Sequence, residues 1–299
     1  MNFLPDVYVT CTECHGHRYN EETLACTYKG KNISEVLDMT VAEAYEFFSA
    51  HTKIRRKLKT LMDVGLDYVK LGQSALTLSG GEAQRVKLAL ELSKIQTGKT
   101  LYILDEPSIG LHSRDTDRLI HVLRQLQALG NTVVVVEHDE EIIRAADYII
   151  DIGPKAGRLG GQVVYQGDVN YLRLCSDSYT VRYLTGEECI ELPAYRRPWN
   201  NFIEVKGARM NNLKGINVKF PLNVMTVVTG VSGSGKSSLV RGIFYEGVKR
   251  LLDDAARLSV ECSGIEGDLK MITDVEYVDQ NSIGKSSRSN PVTYIGAYD

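Results

Sequence analysis

The sequence predicts an α/β fold with a mostly parallel sheet flanked by helices, and three observations predict it. Short apolar runs, Thr100–Leu104 and Thr132–Val136, alternate with amphipathic helical stretches, as in layered sheets built from βα units. The run Val224–Thr229 leads through Gly230-Val231-Ser232-Gly233-Ser234-Gly235-Lys236-Ser237 into a helical stretch with Leu239, Ile243, Val248 and Leu251. The first two runs end on Asp105-Glu106 and Glu137-His138-Asp139. Polar groups therefore gather at the carboxyl ends of strands, where such sheets bind ligands.

Length and composition set wide bounds. A chain of 299 residues suits about two domains. With 43% hydrophobic residues it can build a substantial core, and its net charge of −3 provides no global field for nucleic acid. Met1–Asp6 lacks the basic start and apolar core of a signal peptide, and no stretch of 18 apolar residues occurs. The expectation is a soluble, cytoplasmic protein with no membrane partner. Six cysteines are too few and too scattered for a disulfide framework in a chain of this length.

Taken in order, Cys11-Thr12-Glu13-Cys14-His15-Gly16-His17 is a C-x-x-C knuckle that can offer two thiolates to zinc. A structural zinc site needs four ligands, and His15 and His17 follow too closely to complete it comfortably. Cys26 is an unpaired candidate; a redox pair and an inert pair are the alternatives. From Lys29 to Asp67 the spacing is helical, with Val36 and Leu37 after Ser34 and with Thr40 capping a run of Val41, Ala44, Phe47 and Phe48. Lys53, Arg55, Arg56, Lys57 and Lys59 then form a basic cluster, read first as a solvated helix face and second as a phosphate contact.

Leu78-Ser79-Gly80-Gly81-Glu82 opens a helix whose Ala83, Val86 and Leu90 share a face. A Ser-Gly-Gly turn at a helix start exposes backbone N–H groups at the positive end of the helix dipole and can cradle an anion. An aspartate closing a strand can hold Mg²⁺, and the glutamate after it can polarise water; on an isolated strand the same pair would be two surface acids. A helix over Arg114–Leu129 follows, with Leu119, Leu123, Leu126 and Leu129 inward and Gly130 as its stop. Gln162–Gln166 reads as a strand, 168–201 as a linker, and Phe202–Val205 with Ile216–Phe220 as paired strands. Val275–Gln280 is a further strand.

The loop at Gly230–Ser237 has the spacing G-x-x-x-x-G-K-S. Its glycines let N–H groups converge on phosphate oxygens, Lys236 reaches the terminal phosphates and the Ser237 hydroxyl can ligand Mg²⁺.

These segments together resemble the ATP-binding-cassette ATPases. Leu78–Glu82 is similar to the signature motif, Leu101–Glu106 to Walker B, Ser108–His112 to the D-loop, His138 to the switch histidine, Gly230–Ser237 to Walker A and Gln280 to the Q-loop glutamine. Phe3–Gly16, Leu78–Lys87, Asp105–Arg114, Ala145–Gly153, Gly230–Ser238 and Asp279–Pro291 narrow the resemblance to the UvrA family, the damage-recognition ATPases of nucleotide excision repair. That family carries two cassettes in tandem, each ordered Walker A, zinc-bearing insertion, signature, Walker B. Here signature and Walker B come first, so residues 1 to about 155 resemble the second half of one cassette and 202–299 the first half of the next. A family zinc module has a further C-x-x-C that this chain lacks, and Met1 falls at a position internal to the family, so a fragment is expected.

The resemblance implies a P-loop fold with a zinc-module remnant over 1–30, a helical signature subdomain over 31–97, Walker B and switch segments over 98–167, a linker over 168–201 and a Walker A and Q-loop segment over 202–299. It implies ATP held by Gly230, Ser232, Gly233, Ser234, Gly235, Lys236, Ser237, Ser238 and Gln280. Mg²⁺ would sit on Ser237, Asp105 and Gln280, with Glu106, His138 and Lys236 catalytic, and with Ser79, Gly80, Gly81 and Glu82 closing a site in trans. Zinc at Cys11 and Cys14, damaged duplex DNA, UvrB and a second UvrA are the implied metal and partners. The alternatives are a transporter-type cassette and a non-catalytic nucleotide- or DNA-binding remnant.

Overall fold

The structure, a computed structural model, describes residues 11–78, 80–94, 98–174, 178–253, 260–279, 291–295 and 297. It divides into two units, Met1–Leu192 and Pro193–Asp299. In the first, capping chemistry sets the helix starts: α1 (Glu21–Leu24), α2 (Ile33–Asp38), α3 (Val41–Phe47) and α4 (Thr52–Asp63). Asn32 and Thr40 each accept from the N–H three residues on while Glu35 and Glu43 reach back, two complete capping boxes. The helix expected to follow Ser34 therefore begins earlier, at Ile33. Val36, Met39, Val41, Ala44 and Leu58 form a small core between these helices. The basic cluster lies on α4, where Arg55 stacks 4.5 Å over the Tyr45 ring and Lys59 pairs with Asp63 at 3.0 Å.

α5 (Gly80–Ser93) buries Gly81, Arg85, Leu88 and Ala89. Val86 and Leu90, which share the apolar face read from the sequence, are exposed. The reason is Arg85, 3% exposed, whose guanidinium donates to the carbonyls of Val64 and Gly65 and turns that side of the helix inward.

β1 (Leu101–Asp105) and β2 (Thr132–Val136) pair in parallel, Leu101 opposite Thr132 through Asp105 opposite Val136. Between them runs α6 (Ser113–Ala128), and α7 (Glu140–Ala145) follows. Tyr102, Leu104, Val133 and Val135 pack on a core of Leu88, Ala89, Leu119, Val122, Leu123, Leu126 and Ile142. Val122 takes the inward place expected for Leu129, which caps the helix and is exposed. The alternate residues Leu101, Ile103, Val134 and Val136 are also exposed. β2 is therefore covered on one face rather than buried on both as its valine run suggested, because among the described residues helices lie against one side only.

β3 (Tyr148–Gly153) and β4 (Gln162–Asp168) form an antiparallel pair. The stretch read as a linker carries 3₁₀ turns over Val169–Leu174 and then α8 (Tyr179–Thr185). Ile149, Leu172, Val181 and Leu184 pack together, and the buried N-cap Ser178 donates to Asp151. Residues 187–200 have no helix or strand.

The second unit has an antiparallel sheet of order β6-β5-β7, from β5 (Phe202–Ala208), β6 (Ile216–Pro221) and β7 (Gly264–Gly267). Against it lies a helix that is π-helical over Ser238–Tyr245 and continues as α9 (Glu246–Leu252). Ile203, Val205, Ala208, Phe220, Leu239, Ile243, Val248 and Ile265 make the core, with Phe220 stacked on Phe244 at 3.9 Å between centroids. α10 (Pro291–Tyr294) follows. The expected strands at 224–229 and 275–279 are not paired into a sheet among the described residues, and Met225 is 90% exposed. The α/β class is the one expected; its parallel pairing is confined, among the described residues, to β1 and β2.

Candidate active site

Each unit holds one half of the predicted chemistry. In the second, Gly230, Gly233 and Gly235 take φ values of 144°, 73° and 100°, a region that glycine enters without the Cβ penalty. A Cβ on Gly235 would stand 2.8 Å from Asn212 Oδ1 and 2.9 Å from Leu213 Cδ2, so that position is closed to side chains. The loop curls round its own lysine, whose ammonium donates to Gly230 O at 2.7 Å and Val231 O at 2.9 Å. The donors and glycine curvature fit a polyphosphate, and Ser237 stands where the helix begins.

Two residues that the sequence reading missed hold this loop. Asn212 donates to Gly233 O and Asn211 to Ser238 Oγ, each at 2.9 Å. The signal was an Asn-Asn pair after a strand; asparagine tolerates left-handed backbone, and Asn211 has a φ of 54°. The π-helical turn after the loop passes close to Met210, whose Sδ would be 2.4 Å from a Cβ on Gly242.

In the first unit the parallel register brings the ends of β1 and β2 side by side. Asp105 is exposed at the end of β1, and Glu106 continues the ladder by donating its N–H to Val136 O at 2.9 Å. Glu106 then turns into the left-handed region with a φ of 45°, which costs on the order of 1 kcal/mol for a non-glycine residue. Its Oε1 lies 3.8 Å from Nδ1 of His138, whose side chain is 77% exposed. The register thus brings Glu106 and His138 together, one from each strand end.

Glu137, not singled out from the sequence, organises the same edge. Its carboxylate accepts from the N–H groups of Ser108 at 2.7 Å, His138 at 3.0 Å and Asp139 at 3.3 Å. Burial pushes this carboxyl up, but the donors at Ser108, His138 and Asp139 outweigh it and hold it below the usual carboxylate range.

Helix α5 packs against this edge. A Cβ on Gly81 would fall 2.4 Å from Ile109 O, so only glycine permits the approach. Tyr68 donates its hydroxyl to Glu82; burial first, and the Glu82 carboxylate second, push the phenol well above its ordinary range. Gly80 opens α5, while Ser79 and Gln280 lie outside the described residues.

Cys11 and Cys14 sit in a tight turn, with His15 N–H donating to Cys11 O and His17 N–H to Cys14 O. Backbone donors at Cys14 and Glu13 pull the Cys11 thiol down. Among the described residues no group of three or more His, Cys, Asp or Glu is placed to hold a metal. His17 bonds Ser34 Oγ through Nδ1.

The fold is that of the ATP-binding-cassette P-loop proteins. Over nearly its full length the chain is similar to part of UvrABC system protein A. It is 48% identical to that protein of Clostridium perfringens over 304 residues, covering 97% of this chain and 32% of the relative. With the Methanothermobacter thermautotrophicus protein it shares 47% identity over 303 residues, covering 96% and 31%. The crystal structure of UvrA2 from Deinococcus radiodurans superposes with a TM-score of 0.86 at 36% identity, over 96% of this chain and 37% of that one. The chain therefore spans about a third of the length of the curated relatives it matches. No protein-family model matches it.

Proposed function

We propose that this chain is the junction segment of a UvrA-type ATPase of nucleotide excision repair, carrying the signature, Walker B and switch half of one cassette followed by the phosphate-loop half of the next. The reading rests on one observation: an identity of 48% that runs through 97% of the chain, in one alignment containing both half-sites.

In the phosphate-loop half, Lys236 and the N–H groups of Gly230–Ser238 would hold the terminal phosphates of ATP, and Ser237 with Gln280 would hold Mg²⁺. In the other half, Asp105 would hold Mg²⁺ and Glu106 would orient and deprotonate the attacking water. His138 steadies the γ-phosphate, while Ser79, Gly80, Gly81 and Glu82 close a nucleotide site in trans. Bound there, Mg²⁺ would supply charge neutralisation to the phosphates. Each half serves its own cassette, so turnover requires the complementary halves. The reading carries with it damaged duplex DNA, UvrB and a second UvrA as partners, a cytoplasmic location, and zinc held at Cys11 and Cys14 with two ligands from outside the described residues. Among the described residues no helix is long and apolar enough to cross a membrane.

Titration of the chain with a fluorescent ATP analogue tests the core of this reading. Saturable, Mg²⁺-dependent binding that Lys236→Ala abolishes is the expected result. Absence of binding, or binding that Lys236→Ala leaves unchanged, overturns it.

A further inference from the structure

Gln84 is half-buried early in α5, and its side-chain Nε2 donates to Asp105 O at 2.6 Å. The next backbone group along, the Glu106 N–H, donates to Val136 O at 2.9 Å. One peptide unit is thus gripped at its oxygen by the signature helix and at its nitrogen by β2. Because a peptide is planar, holding both ends fixes its tilt, and with it the ψ of Asp105 and the φ of Glu106. The grip is where it is needed, since Glu106 holds a left-handed φ of 45° that a glutamate would otherwise leave. The loop beyond is braced against the same helix: Ile109 N–H donates to Glu106 O at 3.2 Å, and Gly81 approaches Ile109 O too closely for a Cβ.

We propose that Gln84 is a positioning residue for Glu106, holding the Asp105–Glu106 peptide so that the carboxylate faces His138, and that it thereby ties the aim of this carboxylate to the seat of the signature helix in the same half. The inference rests on reading Glu106 as the group that orients water. Without the donor the Asp105 carbonyl is released, and Glu106 relaxes to an ordinary backbone conformation that carries its carboxylate away from His138.

The experiment uses the full 299-residue chain and reads the ring-proton resonance of His138, which lies 3.8 Å from Glu106. Glu106→Gln displaces this resonance in the parent protein. Gln84→Glu keeps the size but replaces the donor by an acceptor; it displaces the resonance too, and adding Glu106→Gln to it produces no further change. Gln84→Lys restores a donor of similar reach and returns the parent resonance. Gln84→Ala gives the same displacement as Gln84→Glu without adding charge, and decides the matter if Gln84→Glu fails to fold. Where turnover is measured in a protein completed with the missing halves, Gln84→Glu lowers kcat on the order of 10-fold to 100-fold with KM unchanged. A parent resonance in Gln84→Ala, or a Glu106→Gln displacement equal in both backgrounds, overturns the proposal. The resonance is read without nucleotide, so a chain that fails to bind ATP removes the catalytic reading of Glu106 while the geometry of Gln84 is still decided.

Discussion

Replacing Arg85 by methionine removes a charge from the interior at nearly constant volume, and the structure sets the cost. Arg85 donates to Val64 O and Gly65 O at 3.3 Å each and to Gly81 O at 3.4 Å. These bonds are long, so each contributes about 0.5–1 kcal/mol, and the buried carbonyls of Val64 and Gly65 left behind cost about 1 kcal/mol apiece. Methionine recovers part of this by filling the space with apolar atoms. The net loss is about 2–4 kcal/mol, which for a unit of this size lowers Tm by roughly 4–16 °C. Urea denaturation followed by far-ultraviolet circular dichroism is the assay, since the single tryptophan, Trp199, lies in the other unit. A loss below about 0.5 kcal/mol, the range of ordinary surface substitutions, would show that the guanidinium does not hold α5 to the end of α4.

Gly235→Ala forces a Cβ against Asn212 and Leu213 at a φ of 100° and is expected to weaken binding of the ATP analogue at least as severely as removing the lysine's charge, measured by the same titration. Glu137 has a folded pKa held below its ordinary 4.5. Its stabilisation is therefore full above that value and is lost as pH falls through the folded pKa; a Glu137→Gln variant is less stable than the parent at pH 7 and converges with it in acid, checked by urea melts across pH. Leu104→Ala, on the packed face of β1, costs about 2–4 kcal/mol. Ile103→Thr on its open face stays within about 0.5 kcal/mol by the same melts.

The glycine-rich loop at Gly230–Ser237 and the carboxylate pair Asp105-Glu106 stood out in the sequence because the chemistry proposed for them requires fixed residue types at fixed spacing. The existence of β1 and β2 followed from their short apolar runs, and the start of α3 from Thr40, whose capping interaction is entirely local. What escaped was set by tertiary contacts. The inward face of α5 is chosen by Arg85 meeting two carbonyls some twenty residues earlier, against the apolar stripe of Val86 and Leu90. Asn211 and Asn212 stand too far from Gly233 in sequence for spacing to link them. α8 is too short for its helical period to stand out between polar neighbours. The segment at 224–229 reads as a strand by composition, but a strand also needs a neighbour to bond, and composition carries no information about which neighbour is present.

The uncovered side of the parallel pair has a practical consequence. Val133-Val134-Val135-Val136 is an uncharged β-branched run, and β2 bonds only β1 among the described residues. A bare strand edge of this kind recruits other strands, and the exposed apolar side chains of Ile103 on β1 and Val136 on β2 offer a surface for stacking. The self-association of this chain should therefore be governed by concentration and slowed by a lysine placed at Val134, so that its solubility is set by the same strand that delivers His138 to Glu106.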